Sequence, residues 1–341
     1  MRNSLPLLRS HEIMDLKRCP KKWYWKWRLG LVPKTKSFGA LDLGTWVHDA
    51  LAHWYTTSGK KRTMAGLLWC FDHFALTAIK QAHGSTPDHV IAQAHELHTL
   101  GRAMLAAYGK HYRGDRGWDV VGAEIPLEVE ITDEQGESKG LYRMKLDLAV
   151  RERTTGEIWI VEHKTAKAIR TDHLTIDGQA RPYGTLAEIA MKRLGIIERK
   201  EFISGILYNF IRKAMPDIRD VDAKGLALNK DGTVSKRQPS AMFLRHRVTL
   251  TRRAKVVALK RIRRDVMTLT DLREQVIYQK GFADTLSKTP HWSCPKFCDF
   301  FTMCELEEQG GNITQLRRGT FIKQNPYDYE TTDEAMTFEM G

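Results

Sequence analysis

GLYRMKLDLAVRERTTGEIWIVEHK, residues 140–164, is the stretch from which the fold can be read. In its first half Tyr142, Met144, Leu146, Leu148 and Val150 alternate with Arg143, Lys145 and Asp147. That period of two predicts a strand with one apolar and one charged face. The turn residues Thr154, Thr155 and Gly156 follow, then the apolar run EIWIVEHK of a central strand at 157–164. Residues two apart on a strand share a face, so Glu162 and Lys164 project together and His163 points away. Hairpin pairing would set Asp147 beside Glu162. Two carboxylates on adjacent strands form a hard-oxygen site suited to Mg²⁺ or Mn²⁺. A neighbouring lysine can hold or deprotonate a water and offset charge on a phosphate. These are the parts needed for metal-assisted phosphodiester hydrolysis. Taken alone, an Asp followed by Glu-x-Lys is common by chance and reads more readily as a salt-bridged strand end.

Outward from this hairpin, helical patterns cover 10–28, 40–58, 62–82 and 87–113, with Leu43, Val47, Leu51 and Trp54 forming one apolar stripe. A strand is expected at 119–131, with Pro126 at an edge or bulge. Downstream come a helix at 178–195, a strand at 202–213 and a polar stretch at 214–240 with an Asp231–Gly232 turn signal. A strand at 241–250 and a basic helix at 251–280 complete the pattern. The order predicts one mixed α/β domain over 1–310. It has a helical part at 1–115, a core at 116–250, and a basic helix with a cysteine cluster at 251–310. Residues 311–341 read as an acidic, mobile tail, because 324–341 hold five acids and no Lys or Arg.

The composition agrees. The 341 residues are 42% hydrophobic and 28% charged, which excludes global disorder. A net charge of +13 points to a polyanionic partner, nucleic acid before an anionic membrane surface. The opening MRNSLPLLRSHEIM has no apolar signal core, and no apolar run is long enough to span a bilayer, so a cytoplasmic protein is expected. Five cysteines in that compartment favour metal binding over disulfides. Cys294, Cys298 and Cys304 lie within eleven residues, and Cys19 lies far upstream. Cys70, in GLLWCFDHF, reads as a core thiol. Four thiolates suit Zn²⁺ or an iron–sulfur cluster, and spacing alone does not separate the two.

Two segments are strongly basic. Residues 1–36 carry ten Lys/Arg against two acids, interleaved with Trp23, Tyr24, Trp25 and Trp27; residues 245–264 carry nine and no acid. Basic grooves with aromatic platforms hold single strands without reading sequence. Arg252, Arg253, Lys255, Arg261 and Arg264 are the expected DNA contacts. The other reading is a solvated helix face with tryptophans in the core.

Several segments together resemble the PD-(D/E)XK nucleases, specifically their RecB-like branch, across residues 10–306. RCPKKWYWKWRLGL resembles that branch's opening, and GTWVHDALAHWY its Gly-x-x-x-His motif. The resemblance implies a restriction-endonuclease-like core in which His48, Asp147 and Glu162 bind Mg²⁺ or Mn²⁺, with the Val161 or His163 carbonyl, and Lys164 acts on the water. Gln179 and Tyr183 match the Gln-x-x-x-Tyr motif of the following helix; Pro182 fits there if the helix begins near Gly178. Glu124 sits where some relatives carry a further metal-side carboxylate, and Glu128 has the same parity. The cysteines are similar to those of the iron–sulfur subset, which includes the AddB nuclease domain and CRISPR-associated adaptation nucleases. In that subset one N-terminal and three C-terminal cysteines hold a [4Fe–4S] cluster, often with two residues between the first pair; here there are three. Cys19, Cys294, Cys298 and Cys304 would then staple the chain's ends. The implied activity is a metal-dependent DNA exonuclease on free or single-stranded ends. It would act in recombination, repair or processing, as in phages or CRISPR adaptation, beside a helicase, single-strand-binding or recombination protein. The rivals are a catalytically silent iron–sulfur DNA-binding module acting with such a partner, and a zinc-stapled nuclease.

Overall fold

The computed structural model describes residues 6–35, 37–57, 62–84, 86–177 and 180–327. The chain divides into two compact units. The first takes Met1–Lys36, Glu128–Met144 and Lys260–Gly341; the second takes Ser37–Leu127 and Lys145–Leu259.

The second unit begins with helices α3 (Ala40–Thr56), α4 (Met64–Ala82) and α5 (Asp88–Tyr112). The stripe Leu43, Val47, Leu51 and Trp54 is buried in its core with Phe71, Met104 and Leu105. Strand β5 (Ile158–Ala166) pairs antiparallel with the end of β4 (Ser138–Glu152), with Leu148 opposite Val161. It pairs parallel with β6 (Ile203–Arg212), with Glu162 opposite Tyr208. Parallel neighbours need a crossover, and α6 (Ala180–Arg193) lies between β5 and β6 in the chain. Strand β7 (Phe243–Thr249) closes the order antiparallel to β6. Buried and part-buried residues alternate along β4 from Tyr142 to Leu148, as a period of two requires. Strand β3 (Trp118–Thr132) pairs with β4, and Glu124 takes φ 49° within it. The irregularity thus falls two residues before Pro126.

In the first unit, β1 (Leu7–Arg9) pairs parallel with the start of β4. The helix expected over 10–28 is broken. Helix α1 (Ser10–Arg18) stops at Cys19, α2 covers Pro20–Trp23, and a π-helical turn covers Tyr24–Arg28. Pro20 supplies the reason: it has no N–H to continue α1, and it pushes Cys19 to the extended φ −162°, ψ 104°. Trp23, Trp25 and Trp27 are all core residues, so they offer no platform to a nucleic acid. The indole N–H groups of Trp23 and Trp27 donate to Glu12 and Asp15, which accounts for the buried polar ends. Helix α7 (Arg252–Tyr278) ends in this unit and is followed by α8 (Cys294–Phe297) and α9 (Phe301–Glu308).

Residues 314–327, expected in a mobile tail, are folded. Helix α10 (Thr314–Thr320) leads into β8 (Phe321–Lys323), which pairs antiparallel with β2 (Leu31–Pro33). Phe321 stacks on Phe300, and the Tyr327 hydroxyl donates to Glu12 at 2.9 Å. Residues 314–327 hold no Asp or Glu, and Phe321 is buried; all five acids of 324–341 fall within 328–341, outside the described residues. Among the described residues no helix is long and apolar enough to cross a membrane.

Candidate active site and cysteine cluster

The end of β4 and the facing half of β5 bring the first group together. Asp147 lies one residue before the Leu148–Val161 pair, on the polar face of β4. Its Oδ2 accepts the backbone N–H of His163 at 2.8 Å and lies 3.4 Å from His48 Nδ1. His48 reaches it because α3 approaches β5 closely at Gly44, one helical turn earlier on the same face. A Cβ on Gly44 would lie 3.2 Å from Thr165 Oγ1. Glu162 and Lys164 project together, with Lys164 Nζ donating to Glu162 Oε1 at 2.6 Å.

The electrostatics follow from this crowding. Burial raises the Asp147 carboxyl, but His48 and the His163 N–H outweigh it and hold it down at about 2. Burial lowers His48, and Asp147 overrides it, so the imidazole is held above its ordinary value. Burial and the neighbouring Asp147 raise Glu162. Lys164 is raised by Glu162 against its own burial, which keeps it an ammonium. Glu124 also belongs here. Its carboxylate pairs with Lys145 at 2.5 Å, burial pushes it up to about 7, and its charge bears on His48. Glu128 instead pairs with Arg143.

The donors are the right kind for a hard divalent cation, carboxylate oxygens and an imidazole. In this arrangement each carboxylate is paired with a protein side chain instead: Asp147 with His48, Glu162 with Lys164 and Glu124 with Lys145. Among the described residues no three His, Cys, Asp or Glu side chains converge as metal ligands. Gln179 lies outside the described residues, and Tyr183 is buried in the first turns of α6.

Sequence reasoning missed what lies behind β5. His163 is buried; burial pulls its pKa down to about 3 and keeps the ring neutral. It stacks on Tyr55 and hydrogen-bonds Asn209, whose neighbours are Tyr108, Arg245 and, through them, Asp115. The one available signal was Asn209 itself, a polar residue inside the apolar run ILYNFI.

The second group lies within the first unit. Cys19, Cys294, Cys298 and Cys304 line one cavity of about 190 Å³, with Lys22 and Trp25 also in its wall. All four are free thiols, and the His291 N–H points at Cys294 Sγ at 3.3 Å. Burial raises the Cys298 and Cys304 thiols, and neighbouring cysteines raise them further. Cys70 is the buried core thiol it was expected to be.

Of the expected DNA contacts on α7, Arg252, Arg253, Arg261 and Arg264 are exposed, and none is engaged in an ion pair among the described residues. Lys255 differs: it pairs with Glu188 at 2.6 Å and donates to the Ile203 carbonyl at 2.7 Å.

No curated protein matches the chain. Residues 11–305 match the PD-(D/E)XK nuclease superfamily. The match spans most of the chain and includes the strand pair that carries Asp147 and Glu162-His163-Lys164, so this protein belongs to the PD-(D/E)XK nuclease superfamily.

Proposed function

We propose that the chain is a divalent-metal-dependent deoxyribonuclease of the RecB-like type, an exonuclease acting on free or single-stranded DNA ends in recombination, repair or processing. The observation that carries this reading is the Lys164–Glu162 pair at 2.6 Å on the strand next to Asp147. A Mg²⁺ or Mn²⁺ ion held by Asp147, Glu162 and His48 would supply positive charge against the scissile phosphate. Lys164, kept protonated beside Glu162, donates a hydrogen bond to the attacking water and offsets charge on the phosphate. Glu124, with its raised pKa, is a reserve carboxylate on the same side of the site. Tyr183 and Gln179 would orient the scissile strand or the lysine, as the resemblance implies. The exposed arginines Arg252, Arg253, Arg261 and Arg264 hold the phosphate backbone.

The same reading assigns Cys19, Cys294, Cys298 and Cys304 to a structural [4Fe–4S] cluster, with zinc as the competing occupant. The shared cavity, the free thiols and the N–H aimed at Cys294 Sγ support it. Anaerobic purification separates the two metals, since only iron–sulfur protein is brown with broad visible absorption.

The activity is tested with end-labelled single- and double-stranded DNA in Mg²⁺, Mn²⁺ or EDTA, with Lys164→Ala beside wild type. Metal-dependent cleavage lost in the variant is the expected result, and labelling each end gives the polarity. Retained DNA binding without cleavage by cluster-replete wild type would overturn the reading in favour of a silent binding module.

A further inference from the structure

The residue between Glu162 and Lys164 is the variable position of its motif, yet here it is a buried imidazole tied into a polar network. Arg245 and Asp115 set the sense of that network. The guanidinium is a permanent donor, lying 3.6 Å from the Tyr112 ring centre and 4.0 Å from that of Trp118. It grips Asp115 with two bonds, at 2.7 and 2.6 Å. Asp115 also takes the Tyr55 hydroxyl hydrogen, so at the 2.9 Å contact between the two tyrosines Tyr108 must donate to Tyr55. Arg245 Nε donates to Asn209 Oδ1 at 3.3 Å, which fixes which way the Asn209 amide faces. Asn209 Nδ2 then spends its two hydrogens on the Tyr108 hydroxyl at 2.9 Å and on His163 Nδ1 at 2.8 Å. An amide NH₂ only donates, so His163 Nδ1 must accept. A neutral ring that accepts at Nδ1 carries its proton on Nε2. That atom is buried and has no hydrogen-bond partner among the described residues, so nothing else competes to set the tautomer.

The ring lies behind both groups that contact Asp147 Oδ2. One is the N–H of His163 itself, at 2.8 Å. The other is His48, 3.4 Å from the same oxygen, whose imidazole meets the His163 ring edge to face at a centroid distance of 5.8 Å. Tyr55 stacks on His163 at 5.9 Å and 15°, which restrains the ring plane.

We propose that His163 is a positioning residue for Asp147 and His48, and that Asn209, oriented by Arg245 and Asp115, locks its imidazole as the Nε2–H tautomer. The consequence for metal binding rests on the proposed nuclease function; the tautomer does not. Removing such an outer partner of a metal site weakens binding about tenfold or more.

The test uses the full chain labelled with ¹⁵N-histidine, with His163→Phe identifying the signal. Long-range ¹H–¹⁵N correlation should show wild-type His163 protonated at Nε2 alone. Asn209→Asp replaces the donor with a carboxylate acceptor and should move the proton to Nδ1. Mn²⁺ binding, followed by electron paramagnetic resonance without DNA, should weaken about tenfold in Asn209→Asp and in Asn209→Leu. A wild-type ring protonated at Nδ1 overturns the proposal, and that result needs no variant to fold. Folded Asn209 variants that bind Mn²⁺ as tightly as wild type overturn the positioning role alone. Wild-type protein that binds no Mn²⁺ overturns the nuclease reading while leaving the tautomer to stand or fall by its own spectrum.

Discussion

Arg245→Met should be among the most damaging single changes in the second unit. The Arg245 and Asp115 side chains are only 19% and 6% exposed, so their charges see little solvent screening. Methionine keeps most of the volume between Tyr112 and Trp118 but leaves the buried Asp115 carboxyl without its guanidinium, with the Tyr55 hydroxyl as a remaining donor. Breaking one side of a buried pair costs about 3 to 5 kcal/mol, because the abandoned charge keeps its desolvation penalty. For a unit of this size that corresponds to a fall in Tm on the order of 10 °C. Asp115→Asn should cost a similar amount, since it strands the guanidinium. The double variant Arg245→Met/Asp115→Asn strands no charge and should cost less than either single change, about 1 to 2 kcal/mol. Urea titrations of the four proteins, read by tyrosine and tryptophan fluorescence, complete the cycle. Single variants within about 1 kcal/mol of wild type, adding without coupling, would show that the pair behaves like an exposed one and would refute the reasoning.

Three further outcomes are expected. Gly101→Ala should lower the thermal midpoint. Its Cβ would fall 2.2 Å from Phe71 Cζ and 2.7 Å from Leu43 Cδ1, and overpacking of about 1–3 kcal/mol exceeds the roughly 1 kcal/mol gained in helix propensity; a rise in the midpoint would contradict this packing. Glu124, raised by burial to about 7, holds in the folded state a proton that the unfolded chain has already released. Its contribution is therefore complete below about pH 4 and is lost as the pH climbs through about 7, by at most about 3 kcal/mol. In EDTA, the urea midpoint of Glu124→Gln should fall less than that of wild type over this window, and identical profiles would rule the effect out. Arg252→Ala and Arg261→Ala should each reduce the salt dependence of DNA binding by about one phosphate contact without altering stability. Lys255→Ala should do the reverse, because Lys255 pairs with Glu188; an unchanged salt slope in both arginine variants would remove α7 from the DNA surface.

How much of the site was legible in the sequence follows from the range of the interactions involved. Asp147 and Glu162 could be placed side by side because a strand repeats every two residues and a short turn leaves little choice of register. Glu162 and Lys164 could be placed together for the same reason, and the structure pairs them at 2.6 Å. The stripe on α3 was legible because 3.6-residue periodicity is local; His48, off that stripe, was reached only through the resemblance. The break at Cys19 was less so, although Pro20 carried the signal. The burial of Trp23, Trp25 and Trp27 could not be read from composition, since the same residues suit a core or a stacking platform. The fold of 314–327 was hidden for a like reason: Phe321 and Tyr327 find partners at Phe300 and Glu12, far away in the chain.

By itself, then, the sequence determined the strand faces, the main helices, the acidic hairpin with its lysine and, through joint occurrence of motifs, the family. These depend on backbone periods and on neighbours a few residues apart. Periodicity and spacing could not bring Cys19 to the three cysteines at 294–304, a grouping offered only by the resemblance; tertiary structure lines one cavity with all four. It also decided that Asp115, Asn209 and Arg245 meet behind His163. Hydrogen bonds of that kind join residues with no fixed spacing, and their direction is settled only when a buried donor and a buried acceptor have no water left to turn to.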